Sequence, residues 1–115
     1  HNIDPTSIEE KITDKTKAII PVAHDGLPYD IDRVMQIANK HNLIVLEDNA
    51  QAINAEYNGR YVGQDAHITM FSFERTKHVS TGEGGMLITN DSDLAVKARK
   101  FEGMGFKNFS SKKRD

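Results

Sequence analysis

The fold is decided by an apolar run that ends on a carboxylate, Leu43-Ile44-Val45-Leu46-Glu47-Asp48. A continuous apolar run of this length is typical of a strand that is buried on both faces of a parallel sheet. A second run, Ile68-Thr69-Met70-Phe71-Ser72-Phe73, has the same character and leads into a loop that holds Lys77. Because ligands bind beyond the carboxyl ends of strands in open α/β sheets, Asp48 and Lys77 are candidate functional residues.

Further strand and helix patterns precede and follow these two runs. A short apolar run from Ala18 to Val22 predicts another buried strand, in which Pro21 disturbs the pairing. Apolar residues from Ile31 to Ala38 recur at helical spacing. Thr6 and Ser7 each have a glutamate three residues later, a capping-box pattern that predicts a short N-terminal helix.

The second half of the chain contains turn and cap signals. Asn58-Gly59, between two tyrosines, predicts a two-residue hairpin. The connection from Phe73 to the strand at Gly85 is too short for a parallel crossover, so this pair is expected to be antiparallel. Asp91 is expected to cap a last helix that ends at Gly103 or Gly105.

Together these patterns predict an α/β fold with three layers. The sheet is expected to be mostly parallel, with helical crossovers and one antiparallel strand. At 115 residues the chain fits one domain at most, and it begins without a methionine, so we expect it to be a piece of a longer protein.

The composition excludes several classes of function. There is no cysteine, hence no disulfide framework or thiolate nucleophile. The net charge of −2 does not favour nucleic acid or a membrane as a partner, and no apolar run is long enough to span a bilayer. The five histidines lack metal-ligand spacing, so no metal site is expected. We expect a cytoplasmic protein.

The candidate residues indicate one particular cofactor only when they are taken together. Alone, Asp48 suits a helix cap and Lys77 a solvated loop. At neighbouring strand ends, however, a carboxylate can hold the proton of a pyridine nitrogen, and a lysine can form a Schiff base. Gln51 can contact a ring oxygen, and Ser72 can donate to a phosphate. This set indicates pyridoxal 5'-phosphate.

Several phrases of the sequence resemble the sugar aminotransferases of the DegT/StrS type over about residues 2–105. Their order and intervals fit as well, with 29 residues from Asp48 to Lys77 and five from Ser72 to Lys77. The matching phrases are Thr16-Lys17-Ala18-Ile19-Ile20-Pro21-Val22, Gly26-Leu27-Pro28-Tyr29-Asp30-Ile31-Asp32, Glu47-Asp48-Asn49-Ala50-Gln51-Ala52, Phe71-Ser72-Phe73 and Thr81-Gly82-Glu83-Gly84-Gly85.

The resemblance implies a role for each candidate residue. Lys77 is the catalytic lysine that binds pyridoxal phosphate covalently and moves the proton. Asp48 pairs with the pyridinium nitrogen, Gln51 contacts the ring hydroxyl and Ser72 contacts the phosphate. The substrate is expected to be a nucleotide-linked keto sugar, with glutamate as the amino donor.

 The resemblance also implies that the intact protein is a homodimer.

Two alternatives remain open on this sequence. The first is a dehydratase of the same fold that uses the pyridoxamine form of the cofactor. The branch of the family that dehydrates sugars has histidine in place of the lysine, so Lys77 favours amino transfer. The second is a non-catalytic binding or regulatory member, which has no need of a lysine that bonds the cofactor.

The resemblance sets an expectation for domain organisation. Residues 1–115 correspond to part of the large cofactor-binding domain, whereas the upstream phosphate loop and the smaller C-terminal domain lie outside this chain. We therefore expect the 115-residue chain alone to bind the cofactor weakly and to be inactive as an enzyme.

Overall fold

In the computed structural model, residues 2–102 are described, and their strands form a main sheet and a separate hairpin. The strands of the main sheet are β1 (Ala18–Ile19), β2 (Ile44–Asp48), β5 (Ile68–Ser72) and β6 (Gly85–Ile88), and those of the hairpin are β3 (Glu56–Tyr57) and β4 (Arg60–Tyr61). The helices are α1 (Ile31–Lys40) and α2 (Ser92–Glu102).

The main sheet has the order β1-β2-β5-β6. Strands β1, β2 and β5 are parallel, and β6 pairs with β5 in the antiparallel direction. This arrangement confirms the predicted α/β fold class with one antiparallel strand. Beyond β1, pairing resumes as a single bridge between Val22 and Asp48, which confirms the irregular pairing expected at Pro21.

Helix α1 covers one face of the sheet and builds the core. Its buried residues recur with helical spacing and pack against Val45 of β2, which is fully buried. The buried helix residues are Ile31, Val34, Ile37 and Ala38. Asp30 caps the helix by accepting a hydrogen bond from the Arg33 N–H. At the other end, Asn42 has a φ of 52°, and the Leu43 N–H donates to the Ala38 carbonyl, as in a Schellman motif.

The local signals of the second half are also confirmed. Asn58 and Gly59 have φ values of 50° and 76°, as a type I′ hairpin turn requires. Asp91 caps α2 through its Oδ1 atom, which accepts from the N–H groups of Asp93 and Leu94. The predicted end of this helix at Gly103 or Gly105 lies outside the described residues.

The short N-terminal helix predicted at Thr6 and Ser7 forms as two 3₁₀ turns, at Pro5–Ser7 and Glu9–Lys11, and the predicted capping box is wrong. Asp4 caps the first turn by accepting from the Thr6 N–H and hydroxyl, so the capping box never forms. Ile8 still packs into the core, because either geometry turns the same apolar residue inward.

An ion-pair cluster fastens the second turn to the end of α1. The Oε1 atom of Glu9 accepts from Lys40 Nζ at 2.6 Å and lies 2.9 Å from Nε2 of His41. The hydrogen bond from Lys40, followed by that from His41, lowers the pKa of Glu9 to about 2. A lowered carboxyl pKa stabilises the fold above the pKa of the unfolded chain, and this contribution is lost as the pH falls toward 2.

We expect Glu9→Gln to destabilise the protein at about pH 6 and to have much less effect at about pH 2, where roughly half of the wild-type carboxylates are themselves protonated. Urea denaturation of the full-length protein that carries this chain, over this pH range, measures the difference. The control is Glu10→Gln, since Glu10 makes no ion pair within residues 2–102. An effect of Glu9→Gln that does not change with pH would contradict the assignment.

Candidate active site

Parallel pairing brings two of the predicted site residues to one edge of the sheet. Asp48 is the last residue of β2 and lies opposite Met70 of β5. Ser72 is the last residue of β5, two positions beyond Met70. Because side chains alternate along a strand, Asp48 and Ser72 project from the same face at the carboxyl edge of the sheet.

The turn after β2 holds Asp48 and Gln51 in defined orientations. The Oδ1 atom of Asp48 accepts from the Ala50 N–H at 3.0 Å. The Oε1 atom of Gln51 accepts from the Asp25 N–H at 2.7 Å. A backbone N–H can only donate, so the oxygen of the Gln51 amide is fixed on this side, and its Nε2 group remains available as a donor.

A capped turn carries Lys77. The Lys77 N–H donates to the Glu74 carbonyl at 2.9 Å, and the Glu74 carboxylate accepts from both the N–H and the hydroxyl of Thr76. The two bonds from Thr76 lower the pKa of Glu74, with that from the Thr76 hydroxyl as the largest cause. Glu74 thus stabilises the turn, and within residues 2–102 the Nζ atom of Lys77 has no hydrogen bond or ion pair.

The glycine-rich segment closes the loop that contains this turn. Phe73 pairs with both sides of the segment, since its N–H donates to the Gly84 carbonyl and its carbonyl accepts from the Thr81 N–H. Gly84 has a φ of 148°, and a Cβ atom there would lie 2.8 Å from Thr81 Oγ1. The close approach therefore requires glycine at this position.

Gln51 and Lys77 line the same cleft. Its volume is about 320 Å³, and its other lining residues are Asp25, Thr76 and His78. Asp48 and Ser72 are at the neighbouring strand ends but do not line this cleft. The structure thus brings Gln51 and Lys77 together directly and places Asp48 and Ser72 beside them on the sheet edge.

The donor set fits pyridoxal phosphate. Asp48 has a second carboxylate oxygen that is not engaged by residues 2–102, which suits a pyridinium N–H. The Ser72 Oγ atom accepts from the Glu74 N–H, so its hydroxyl proton remains for an anionic oxygen. The unpaired amine of Lys77 and the free Nε2 group of Gln51 complete a set suited to a flat, phosphorylated, cationic ring.

Sequence reasoning missed three contributors to this site. Asp25 holds Gln51 through its main chain, and Thr76 and His78 line the cleft. Asp25-Gly26 is a turn-forming pair, but no local pattern reports a contact with a residue 26 positions away. The positions of Thr76 and His78 follow from the turn that Glu74 caps, and a polar loop sequence does not specify such a turn.

A buried polar group on the opposite face of β2 was also missed. Glu47 is 2 % exposed, and its Oε2 atom accepts from the Thr69 hydroxyl at 2.9 Å. The Tyr29 hydroxyl is buried nearby, and burial, followed by the negative charge of Glu47, raises the pKa of Tyr29. The apolar run that predicts β2 therefore includes a buried carboxylate that pairs with β5.

A metal site and a membrane-spanning helix are both absent from the part of the chain that the structure describes. Residues 2–102 contain no cluster of three or more histidine, aspartate or glutamate side chains that could hold a metal ion. None of the helices in this range has both the length and the apolar character needed to cross a membrane.

Comparison with solved structures defines the class of protein. NtdA from Bacillus subtilis with the bound cofactor PMP superposes with a TM-score of 0.82 at 37% identity, over 93% of this chain and 25% of that chain. The fold is that of the pyridoxal-phosphate aminotransferases. The model of the DegT/DnrJ/EryC1/StrS aminotransferase family matches residues 1–115, and the chain belongs to this family.

Two curated relatives show the range of proteins that the chain resembles. A "pleiotropic regulatory protein" of Geobacillus stearothermophilus is 48% identical over 92% of this chain and 29% of the relative. The GDP-perosamine synthase of Caulobacter vibrioides is 45% identical over 90% of this chain and 28% of the relative. The chain thus spans less than a third of the length of these relatives.

We expect Gly84→Ala to destabilise the protein by about 1–3 kcal/mol, because it combines a strained φ with a contact that Thr81 can relieve only by giving up a hydrogen bond. The Thr81 hydroxyl is held by the Glu83 carbonyl at 2.7 Å. Urea denaturation of the full-length protein measures the effect. Gly82→Ala is the matched control, since Gly82 also has a positive φ but its Cβ would meet nothing within 4 Å. Equal losses for the two variants would contradict the role of the contact.

Proposed function

We propose that the protein is a pyridoxal-phosphate-dependent aminotransferase that transfers an amino group from glutamate to a nucleotide-linked keto sugar. One observation carries the proposal: the amine of Lys77 makes no hydrogen bond or ion pair within residues 2–102 and shares a cleft with Gln51, beside the strand ends that carry Asp48 and Ser72. Membership of the aminotransferase family and the similarity to a GDP-perosamine synthase support this reaction and this class of substrate.

Three side chains would hold the cofactor. The Asp48 carboxylate would hold the proton of the pyridine nitrogen, and the Nε2 group of Gln51 would donate to the ring oxygen. Ser72 would donate to the phosphate, where charge-assisted hydrogen bonds are strong. When bound, pyridoxal phosphate supplies an electron sink for the amino-transfer chemistry.

Lys77 would act at its Nζ atom. In the neutral form, the amine would hold the cofactor covalently until the amino group of the donor takes its place, and the freed amine would then take a proton from the donor and deliver it again. The capped turn beneath it, held by Glu74, keeps the backbone of Lys77 in place during these transfers. The Nζ atom of Lys77 makes no ion pair within residues 2–102, so no carboxylate is within ion-pair distance of the amine that moves the proton.

Two rivals differ from this proposal in what they require of Lys77. The similarity to a regulatory protein favours a binding role, which does not need a reactive amine. A dehydratase that uses the pyridoxamine form does not need a lysine that bonds the cofactor. The unpaired amine in the cleft supports amino transfer over both.

We also propose where this chain belongs in the assembled enzyme. Ser72 is one phosphate donor, and a bound phosphate needs several, so residues 1–115 would form part of a larger cofactor-binding domain. The length of the curated relatives supports this placement. A cytoplasmic homodimer, with each site completed by its neighbour, is the arrangement we propose.

Borohydride reduction of the cofactor-loaded full-length protein should fix the cofactor on Lys77 as a secondary amine. Peptide mapping by mass spectrometry locates the adduct. Lys77→Ala should carry no adduct, whereas the control Lys97→Ala, which changes an exposed lysine of α2, should be labelled like the wild type. An adduct on another lysine, or none, would overturn the assignment.

Asp48→Asn should lower kcat/KM by about a hundredfold or more, because the negative charge that would keep the pyridine nitrogen protonated is lost from a preorganised site. The fold should persist, since the asparagine Oδ1 atom can still accept from the Ala50 N–H. Steady-state kinetics and thermal melting measure the two effects, with Asp14→Asn as the exposed control. Near-wild-type turnover in Asp48→Asn would show that Asp48 is only a structural cap.

A further inference from the structure

Asn2 clamps the loop that lies against the candidate site. Its Oδ1 atom accepts from the His24 N–H at 3.0 Å, and its Nδ2 group donates to the Leu27 carbonyl at 2.7 Å. The two bonds bracket the short turn at His24–Gly26 and span 22 and 25 positions of sequence. A primary amide is suited to this task because it accepts and donates at the same time.

The clamped loop has an unusual backbone. Asp25 has a φ of 54° and Gly26 a φ of 77°, so two consecutive residues are in the left-handed region. For Asp25 this conformation is unfavourable unless the surroundings support it. The bonds of Asn2 on both sides of the pair provide such support.

The same loop controls the orientation of Gln51. The Asp25 N–H, in the middle of the turn, donates to the Gln51 Oε1 atom at 2.7 Å. A Cβ atom on Gly26 would lie 3.1 Å from the Gln51 carbonyl, so the loop and the Gln51 turn are in close contact. A displacement of the loop would therefore release the Gln51 amide and move the residue that lines the cleft with Lys77.

We propose that Asn2 is a positioning residue, which orients the cofactor contact of Gln51 through the loop at His24–Gly26. The inference rests on the proposed function, because it assigns a purpose to the fixed Gln51 amide. Asn2 does not line the cleft, so its effect on the cofactor would be transmitted entirely by the two loop bonds and the Asp25 N–H.

The first test uses the full-length protein without cofactor. In Asn2→Ala, hydrogen exchange should become about three- to tenfold faster in a peptide covering residues 22–28, as expected when one or two exposed hydrogen bonds are lost. A peptide from α1 should exchange as in the wild type, which separates a local effect from general destabilisation. The control is Asn39→Ala, which removes an exposed amide from α1. Unchanged exchange at residues 22–28 would overturn the clamp.

The second test is a double-mutant cycle on cofactor binding. Asn2→Ala should raise the Kd for pyridoxal phosphate about three- to tenfold and change the visible absorption band in the same direction as Gln51→Ala. In the Gln51→Ala background, Asn2→Ala should change the Kd by less than about twofold, because its route to the cofactor is already gone. Asn39→Ala should match the wild type in both measurements.

The outcomes separate this inference from the proposed function. If the wild type binds the cofactor at Lys77 but the effects of Asn2→Ala and Gln51→Ala simply add, the proposed function stands and the inference fails. If the wild type binds no cofactor, both fail together. Loss of affinity in Asn2→Ala that disappears in the Gln51→Ala background supports both.

Discussion

The parallel pairing of β2 with β5 is the constraint on which the rest of the structure depends. The register that sets Asp48 opposite Met70 also decides that Ser72 emerges on the same face at the same edge. A shift of one residue would send one of the two to the opposite face. Buried contacts on the other face oppose such a shift, because the Thr69 hydroxyl donates to the carboxylate of Glu47.

The loop between β5 and β6 has a fixed backbone of its own beyond the ends of the strands. Antiparallel pairing returns the chain beside β5, and the backbone of Phe73 holds both arms of the glycine segment. The loop is therefore closed at its base, while Glu74 caps the turn at Lys77. A rigid base and a capped turn let a polar loop present one amine at a defined place, and a freely moving loop could not do so.

The sequence predicts best what depends on neighbouring residues. The run that ends on Asp48, the Asn58-Gly59 turn and the Asp91 cap are local signals, and each has its expected structure. The capping box expected at Thr6 fails because the Asp4 carboxylate accepts from the Thr6 N–H in place of Glu9. The bond from Asp25 to Gln51 was not predictable, because it depends on tertiary packing across 26 positions and leaves no periodic pattern.

The most direct test of the account follows nitrogen from donor to product. The cofactor-loaded full-length protein is mixed with ¹⁵N-labelled glutamate and a nucleotide-linked keto sugar, and the sugar product is analysed by mass spectrometry. We expect ¹⁵N in the sugar formed by the wild type and no ¹⁵N in the sugar recovered from the Lys77→Ala variant. A product that has lost a hydroxyl group without gaining nitrogen, or no change in the sugar, would contradict it.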